Sequence, residues 1–363
     1  MSMEKKDIQI YGAGLSGLVS AINLVRNGYN ITVYEKEKKI GGSTKCTPSN
    51  HMTPANIKKM QEYIGIKIET CFSKLDEFRG YISKKKFLFS TKNLYVVERG
   101  RRESSLDNFL YNIALKEGVN FKFLYQLTCD KINDIPKNSI IATGGYSKLV
   151  KCLKIPFITF KQFETYKKTD LGNITIAYFG DYSSDYGYLS AKNGTVSAQL
   201  SGSINLSRQK LNRFIEIVKE TENITLKDWS FIISHFPKKV QLYRNFAGKK
   251  FVLAGDISGF LDPFFGFGIN GALISGKIAS LNFTNKQKAL EEFKKFSSYM
   301  NKNLLLHTFY WHLPFKNYIR TQIMKYQKNQ FRSFKRSIPG FTDKDWLKIV
   351  SCEKFNNSKS VQK

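Results

Sequence analysis

Residues 7–35 read DIQIYGAGLSGLVSAINLVRNGYNITVYE. Asp7 to Tyr11 has the pattern of a short strand, and Gly12-Ala13-Gly14-Leu15-Ser16-Gly17 is a GxGxxG turn. Leu15 to Arg26 carries apolar residues at helical spacing, and Ile31 to Tyr34 is a second strand ending at Glu35-Lys36. Strand, turn, helix, strand and acid together form a βαβ dinucleotide-binding unit. Gly12 permits the tight turn, Gly14 lets a pyrophosphate approach the backbone, and Gly17 lets the helix lie on the strand. Free N–H groups at the helix start attract phosphate, and Glu35 can accept hydrogen bonds from a ribose. The expected contacts are Gly12, Ala13, Gly14, Ser16, Gly17, Glu35 and Lys36.

A second glycine-rich stretch, GDISGFLDPFFGFGING, runs from Gly255 to Gly271. It is too rich in glycine for the interior of a strand or helix, and too apolar for a solvated loop. The strand-like FVLAG (Phe251 to Gly255) precedes it, and helical spacing follows from Ile269 to Leu281. One extended ligand can use both turns. Asp256 suits a polyol hydroxyl, while Gly255, Gly266, Gly268 and Ile269 offer backbone to a flat ring. FAD is such a ligand.

The chain has 363 residues, 42% hydrophobic and 14% aromatic, which predicts a folded protein with a sizeable core. The net charge of +29 points to an anionic partner or to a lysine-rich solvated surface. The five cysteines are irregularly spaced without a CxxC pair, which argues against a disulfide framework and a zinc site and for a reducing, cytosolic setting. The opening residues predict no secretory signal, and no apolar run approaches the roughly 18 residues of a membrane span. The four histidines show no metal-binding spacing. Strands are expected within Phe78–Val97 and Phe160–Leu206, with a helix from about Ser105 to Glu117. From about Leu290 the chain is helical, basic and aromatic, as suits a helix lying on an anionic membrane. Basic and aromatic residues also suit single-stranded nucleic acid, but no recognition motif accompanies them, and specific nucleic-acid binding is not expected.

The late motif resembles the GD-A-A-G-F-x-x-P-x-x-G-x-G-I of the geranylgeranyl reductase family, FAD enzymes of the p-hydroxybenzoate-hydroxylase fold. Cys46, in KCTPS, stands where that family has a cysteine. Gly41-Gly42, soon after Glu35, resembles FAD-binding proteins of this fold. ATGGYS (Ala142 to Ser147) is similar to the family's A-D-G-x-x-S, with Thr143 in place of the acid. GYLSAK (Gly187 to Lys192) is similar to G-W-x-F-P-K, matching at Gly187 and Lys192 and departing at Tyr188, Ser190 and Ala191. The likeness covers roughly the first 280 residues. It implies Cys46 and Tyr188 as catalytic residues and an arginine before the Ser105 helix, Arg102 of Arg99, Arg101 and Arg102, on the FAD pyrophosphate. His51 is a further candidate beside Cys46, whereas Lys192 reads as a surface lysine.

The expected architecture is α/β, a Rossmann-like FAD-binding domain with an interleaved antiparallel β-sheet substrate domain and a C-terminal helical segment. The boundaries are 1–72, 96–158 and 246–290 for FAD, 73–95 and 159–245 for the sheet, and 291–363 for the basic helices. The resemblance implies an FAD-dependent reductase saturating carbon–carbon double bonds of an isoprenoid lipid by hydride transfer from reduced flavin. The alternative is a flavin-dependent monooxygenase of the same fold acting on an aromatic or lipid substrate. The electron donor is expected to be NAD(P)H or a small redox protein, and the location cytoplasmic, on the inner face of the membrane.

Overall fold

The computed structural model describes residues 6–42, 48–82, 84–145, 148–183, 185–202, 205–262, 266–312 and 349–350. Cys46, Tyr146, Ser147, Pro263, Phe264, Phe265 and most of the basic tail lie outside them. The chain begins with β1 (Asp7–Tyr11), α1 (Leu15–Val25) and β2 (Asn30–Tyr34). Next come β3 (Ser49–Pro54), α2 (Ile57–Ile64), β4 (Phe72–Lys74), β5 (Glu77–Ile82), β6 (Lys85–Phe89) and β7 (Leu94–Arg99). They lead to α3 (Leu106–Lys116), β8 (Asn120–Lys122), β9 (Ile140–Ile141) and α4 (Leu149–Cys152). Four long strands follow: β10 (Phe157–Lys168), β11 (Ile174–Phe179), β12 (Tyr186–Lys192) and β13 (Thr195–Gly202). After α5 (Arg208–Glu222) come β14 (Ser230–Pro237), β15 (Tyr243–Phe246) and β16 (Lys249–Leu253). Helices α6 (Ile269–Thr284) and α7 (Lys286–His312) and the short β17 (Ile349–Val350) complete the described elements.

The first sheet has the order β15-β16-β9-β1-β2-β8. All its pairs are parallel except the β15–β16 hairpin. Ile10, Ile31, Val33, Ile140 and Val252 are buried within it, as expected where helices cover both faces of a parallel sheet. The expected βαβ unit is present, with β1 at its expected bounds.

Helices α1 and α6 pack almost backbone to backbone. A Cβ on Gly276 would lie 2.5 Å from the Ser16 carbonyl oxygen, and the Ser20 hydroxyl donates to Gly276 O at 2.9 Å. Small residues on both helices thus let two helix starts converge on one place.

The second sheet has the order β14-β10-β13-β12-β11-β5-β6-β17. It is antiparallel except for β5–β11, a parallel pair between strands far apart in the chain. Side chains alternate between its faces. Tyr178, Leu189 and Leu200 pack with Leu211, Phe214 and Val218 of α5, a helix not anticipated from the sequence. The intervening Ala177, Tyr188, Gln199 and Ser201 face the other way, toward a large cavity. A third sheet, β3-β7-β4, lies over the β12–β13 hairpin. Asn50, fully buried, ties it down: its N–H donates to Ser197 Oγ at 2.8 Å and its amide to Thr195 O at 2.9 Å.

Candidate functional site

One cavity of about 1770 Å³ runs from the β1–α1 turn to the aromatic face of the second sheet. At the first end are Gly12, Ala13, Gly14 and Ser16, with Glu35 and Lys36 at the tip of β2. The turn is tight because the backbone leaves no alternative. A Cβ on Gly12 would lie 2.4 Å from Ala142 O, and one on Gly17 2.0 Å from Gly12 O. Gly14 differs. A Cβ there would meet no protein atom within 4 Å, and its backbone is extended. No side chain caps the helix that starts beside it. The Glu35 carboxylate accepts from Ala13 N at 2.8 Å and Glu37 N at 3.0 Å, which fixes it at the rim of the turn. Tyr11 and Tyr34 stack at 4.9 Å between centroids, and Tyr125 lies against Tyr34 at 4.8 Å. All three line the cavity and offer it aromatic surface, a feature the sequence motifs do not mark.

The second glycine turn enters the same space. Gly255, Asp256, Gly266, Gly268 and Ile269 line it, and Gly268 starts α6 without a side-chain cap. Burial pushes the Asp256 carboxyl up, against the pull of the Arg99 charge and a Gly145 hydrogen bond. Two uncapped helix N-termini, free space at Gly14 and a rim carboxylate fit a dinucleotide with a diphosphate centre. The residues present therefore fit FAD.

Arg102 does not reach this cavity. It donates to the fully buried Glu98 at 2.5 Å, and Asn193 and Ser104 complete that carboxylate's shell. Burial works against the Glu98 charge, but those three hydrogen bonds prevail and hold its carboxyl below the usual range. Arg99 is the arginine that faces the cavity. A two-pronged pair with Asp107, at 2.7 and 2.9 Å, sets its guanidinium, and Asp107 also accepts from Gly100 N. Buried carboxylates decide which arginine is committed elsewhere, and the run Arg99-Gly100-Arg101-Arg102 does not reveal them.

At the sheet end, Tyr188 lines the cavity as expected. Its hydroxyl is 3.0 Å from His51 Nδ1, and His51 Nε2 is 2.6 Å from Ser49 Oγ. Ser49 and His51 share one face of β3, and the Asn50 anchor ties that strand to β13, the neighbour of β12. Gln199 donates to Gln162 at 2.6 Å, and Gln162 to Glu164 at 2.5 Å, forming a polar row along the same wall. Phe78, Phe179, Tyr186 and Phe267 supply apolar wall.

Burial pushes the His51 imidazole down to about 4; the Arg99 charge adds to the fall and Asp107 opposes it. The ring is neutral at pH 7. Its folded value lies below the ordinary one of about 6.5, so it contributes stability above that pH that is lost as pH falls toward 4. Thermal unfolding followed from about pH 7 to about pH 4.5 is expected to show this loss, and His51→Gln to flatten it. An unchanged slope in the variant would mean that His51 is hydrated in the folded chain.

One further expectation is corrected. Lys192 is only 3% exposed; its ammonium donates to Cys71 O at 2.8 Å and Val96 O at 3.4 Å, and burial lowers its pKa. It braces β12 against β7 rather than facing water. Cys129 and Cys152 are neighbours in the fold, with Cα atoms 5.8 Å apart, because α4 folds back onto the segment after β8. Cys71 is a buried free thiol. Among the described residues no group of three His, Cys, Asp or Glu side chains could hold a metal ion.

Comparison with known proteins agrees with this geometry. Residues 10–57 match the family described as NAD(P)-binding Rossmann-like domain. A flavin-containing monooxygenase of Arabidopsis thaliana, FMO GS-OX-like 6, is 40% identical over 48 residues, 13% of this chain. That stretch spans only 10% of the plant protein. Solved structures resemble the chain over most of its length. A p-nitrophenol 4-monooxygenase from Pseudomonas putida has a TM-score of 0.60 at 13% identity, covering 88% of this chain and 93% of its own. A flavin-dependent brominase gives 0.59 at 15% identity, covering 89% and 93%. A flavoprotein/dehydrogenase from Cytophaga hutchinsonii gives 0.58 at 18%, covering 82% and 84%. The chain thus carries a Rossmann-like dinucleotide-binding unit at its start and, over most of its length, the fold of flavin-dependent monooxygenases and related oxidoreductases.

Proposed function

We propose that this chain is an FAD-dependent oxidoreductase that saturates carbon–carbon double bonds of an isoprenoid, geranylgeranyl-type lipid. The observation that carries this reading is the single cavity of about 1770 Å³ joining the two glycine turns to the aromatic sheet. Sites for one drug-sized ligand usually span about 300–1,000 Å³. The space here suits a dinucleotide together with a long second ligand. Gly12 to Ser16, Glu35, Lys36, Arg99, Gly255, Asp256 and Gly266 to Ile269 would hold FAD. FAD supplies the two electrons of the reduction. The chain's own part is to position the alkene along Phe78, Phe179, Tyr186 and Phe267, exclude water, and present the Tyr188 hydroxyl as proton donor. Cys46 is the other proposed donor.

The cavity rim supports uptake from a lipid surface. Phe231, Ile233 and Leu305 are 47%, 45% and 72% exposed, and Lys238 and Lys239 lie on the same rim. Apolar side chains beside lysines suit an anionic bilayer, each lysine contributing about 1 kcal/mol near such a surface. No described helix is long and apolar enough to cross a membrane. The association we propose is peripheral, at the inner face.

Monooxygenation of an aromatic or lipid substrate is the second reading. Similarity of fold to oxygenases favours it, as does the Gln199–Gln162–Glu164 row, which would suit a substrate hydroxyl.

One experiment separates the two. The flavin-loaded chain is reduced with dithionite without oxygen and mixed with anionic vesicles carrying prenyl lipids. The expected result is reoxidation of the flavin, with lipids that gain two hydrogens per bond. A flavin that stays reduced until oxygen is admitted, followed by a product gaining one oxygen atom, would replace the first reading with the second. NADPH or a small redox protein in place of dithionite then identifies the donor.

A further inference from the structure

Two segments distant in sequence form one wall of the dinucleotide end. Residues 125–128, after β8, line the cavity, and so do residues 142–144 and Lys148, before α4. Leu127, Ile132 and Ile135 share a buried cluster with Leu149, Val150 and Leu153, so the two segments pack on each other. Each contributes a cysteine to that contact. Cys129 directly follows Thr128, Cys152 ends α4, and their Cα atoms are 5.8 Å apart. Disulfides span about 4.4–6.8 Å between Cα atoms, so this pair can close without backbone movement. Cys129 is exposed and Cys152 half-buried, which lets a small oxidant reach the pair from solvent.

The surroundings favour reaction. Lys148, Lys151 and Lys154 surround Cys152 in sequence, and Lys131 follows Cys129 beside Asp130 and Asp134. Neighbouring positive charge favours the thiolate, the reactive form. The chain between the two cysteines is also part of the flavin site. It contains β9, which pairs with β1, and Ala142, against whose carbonyl Gly12 is seated. A bond between the cysteines would hold both walls of this end together.

We propose that Cys129 and Cys152 are an oxidisable thiol pair that, once joined, clamps the wall of the flavin site. The oxidant is hydrogen peroxide, which flavoproteins release when oxygen takes their electrons. One thiolate attacks a peroxide oxygen. The O–O bond breaks, water leaves and the sulfur becomes a sulfenic acid. The second thiolate attacks that sulfur, the S–O bond breaks and a second water leaves. The two sulfurs give up two electrons, the peroxide accepts them, and the two thiol protons end in the waters. A thiol reductant reverses the change, as suits a reducing setting. Reduced, the two segments can part locally; joined, they cannot. The clamp takes from the proposed function only that this cavity holds FAD.

The test uses the full flavin-loaded chain, reduced with dithiothreitol, freed of it and treated with equimolar hydrogen peroxide. Two of the five thiols should be lost, the intact mass should fall by two hydrogens, and digestion should give a peptide joining Cys129 to Cys152. Flavin release on dilution, followed by absorbance, should slow on the order of 10-fold and recover with dithiothreitol. The flavin-free chain should melt about 5 °C higher when oxidised. Cys129→Ser and Cys152→Ser should each release flavin at the rate of the reduced wild type, with or without peroxide. Peroxide that leaves both thiols free, or joins either to Cys46, Cys71 or Cys352, would overturn the pair. A bond between Cys129 and Cys152 with flavin release unchanged would overturn the clamp. None of these readings needs lipid turnover, so a chain inactive on prenyl lipids would sink the proposed reaction and leave the thiol result standing.

Discussion

Gly14→Val is expected to fold normally and purify without flavin. The two halves of that statement have separate causes. The Gly14 backbone is extended, with φ −74° and ψ 178°, a conformation open to valine. A Cβ at this position meets no protein atom within 4 Å. The folded chain therefore has no reason to resist the change, and thermal unfolding of the flavin-free protein should shift by no more than ~0.5 kcal/mol. The open space lies over the uncapped start of α1, where a diphosphate would approach. Valine methyl groups would occupy it and cover the amides. Loss of flavin on the order of 100-fold in affinity is expected, measured by absorbance after reconstitution and dialysis. A yellow variant with wild-type affinity would show that the diphosphate lies elsewhere. Gly17→Ala provides the contrast. Its Cβ would meet Gly12 O at 2.0 Å, so it should lose stability as well as flavin.

The second large effect is expected at a distance from any ligand. Gly276→Val on α6 puts a Cβ 2.5 Å from Ser16 O and 3.0 Å from both Ser16 Cα and Val19 Cβ. Two of those are backbone atoms, so no rotamer relieves the contact. The helices must separate, and the Ser20 hydrogen bond to Gly276 O is lost with them. Overpacking of this kind costs about 1–3 kcal/mol, and the lost bond adds about 1 kcal/mol. Separation also pulls apart the two helix starts that converge on the cavity, so flavin affinity should fall together with thermal stability. Gly276→Ala, with the same Cβ and less bulk, should show both losses to a smaller degree. Full flavin affinity in a destabilised Gly276→Val would show that the start of α6 makes no contact with the cofactor.

Most of the first half of the site was legible in the chain because its determinants are local. A strand, a GxGxxG turn, a helix and an acid follow one another within residues 7–35, and backbone sterics dictate their arrangement. The bounds of β1 and the start of α1 at Leu15 follow from that pattern. The second glycine turn was also legible as a strand feeding a helix, since glycine at such density has few other uses. Helix α5 could have been found from Leu211, Phe214 and Val218 at helical spacing; it was obscured by a charged stretch between two strand-rich regions.

What the sequence by itself determined was therefore the dinucleotide unit, the second glycine turn and the aromatic strands, each specified by neighbours a few residues apart. The tertiary structure alone decided which arginine faces the cavity, because Glu98 and Asp107 are buried partners that the arginine run does not display. It alone turned Lys192 inward, onto carbonyls of Cys71 and Val96 more than ninety residues away. It alone set His51 between Tyr188 and Ser49, since Asn50 must first anchor β3 to a hairpin some 145 residues further along. The physical reason is common to all three. A buried polar group must find its partner wherever the fold places one, and sequence separation carries no information about that distance.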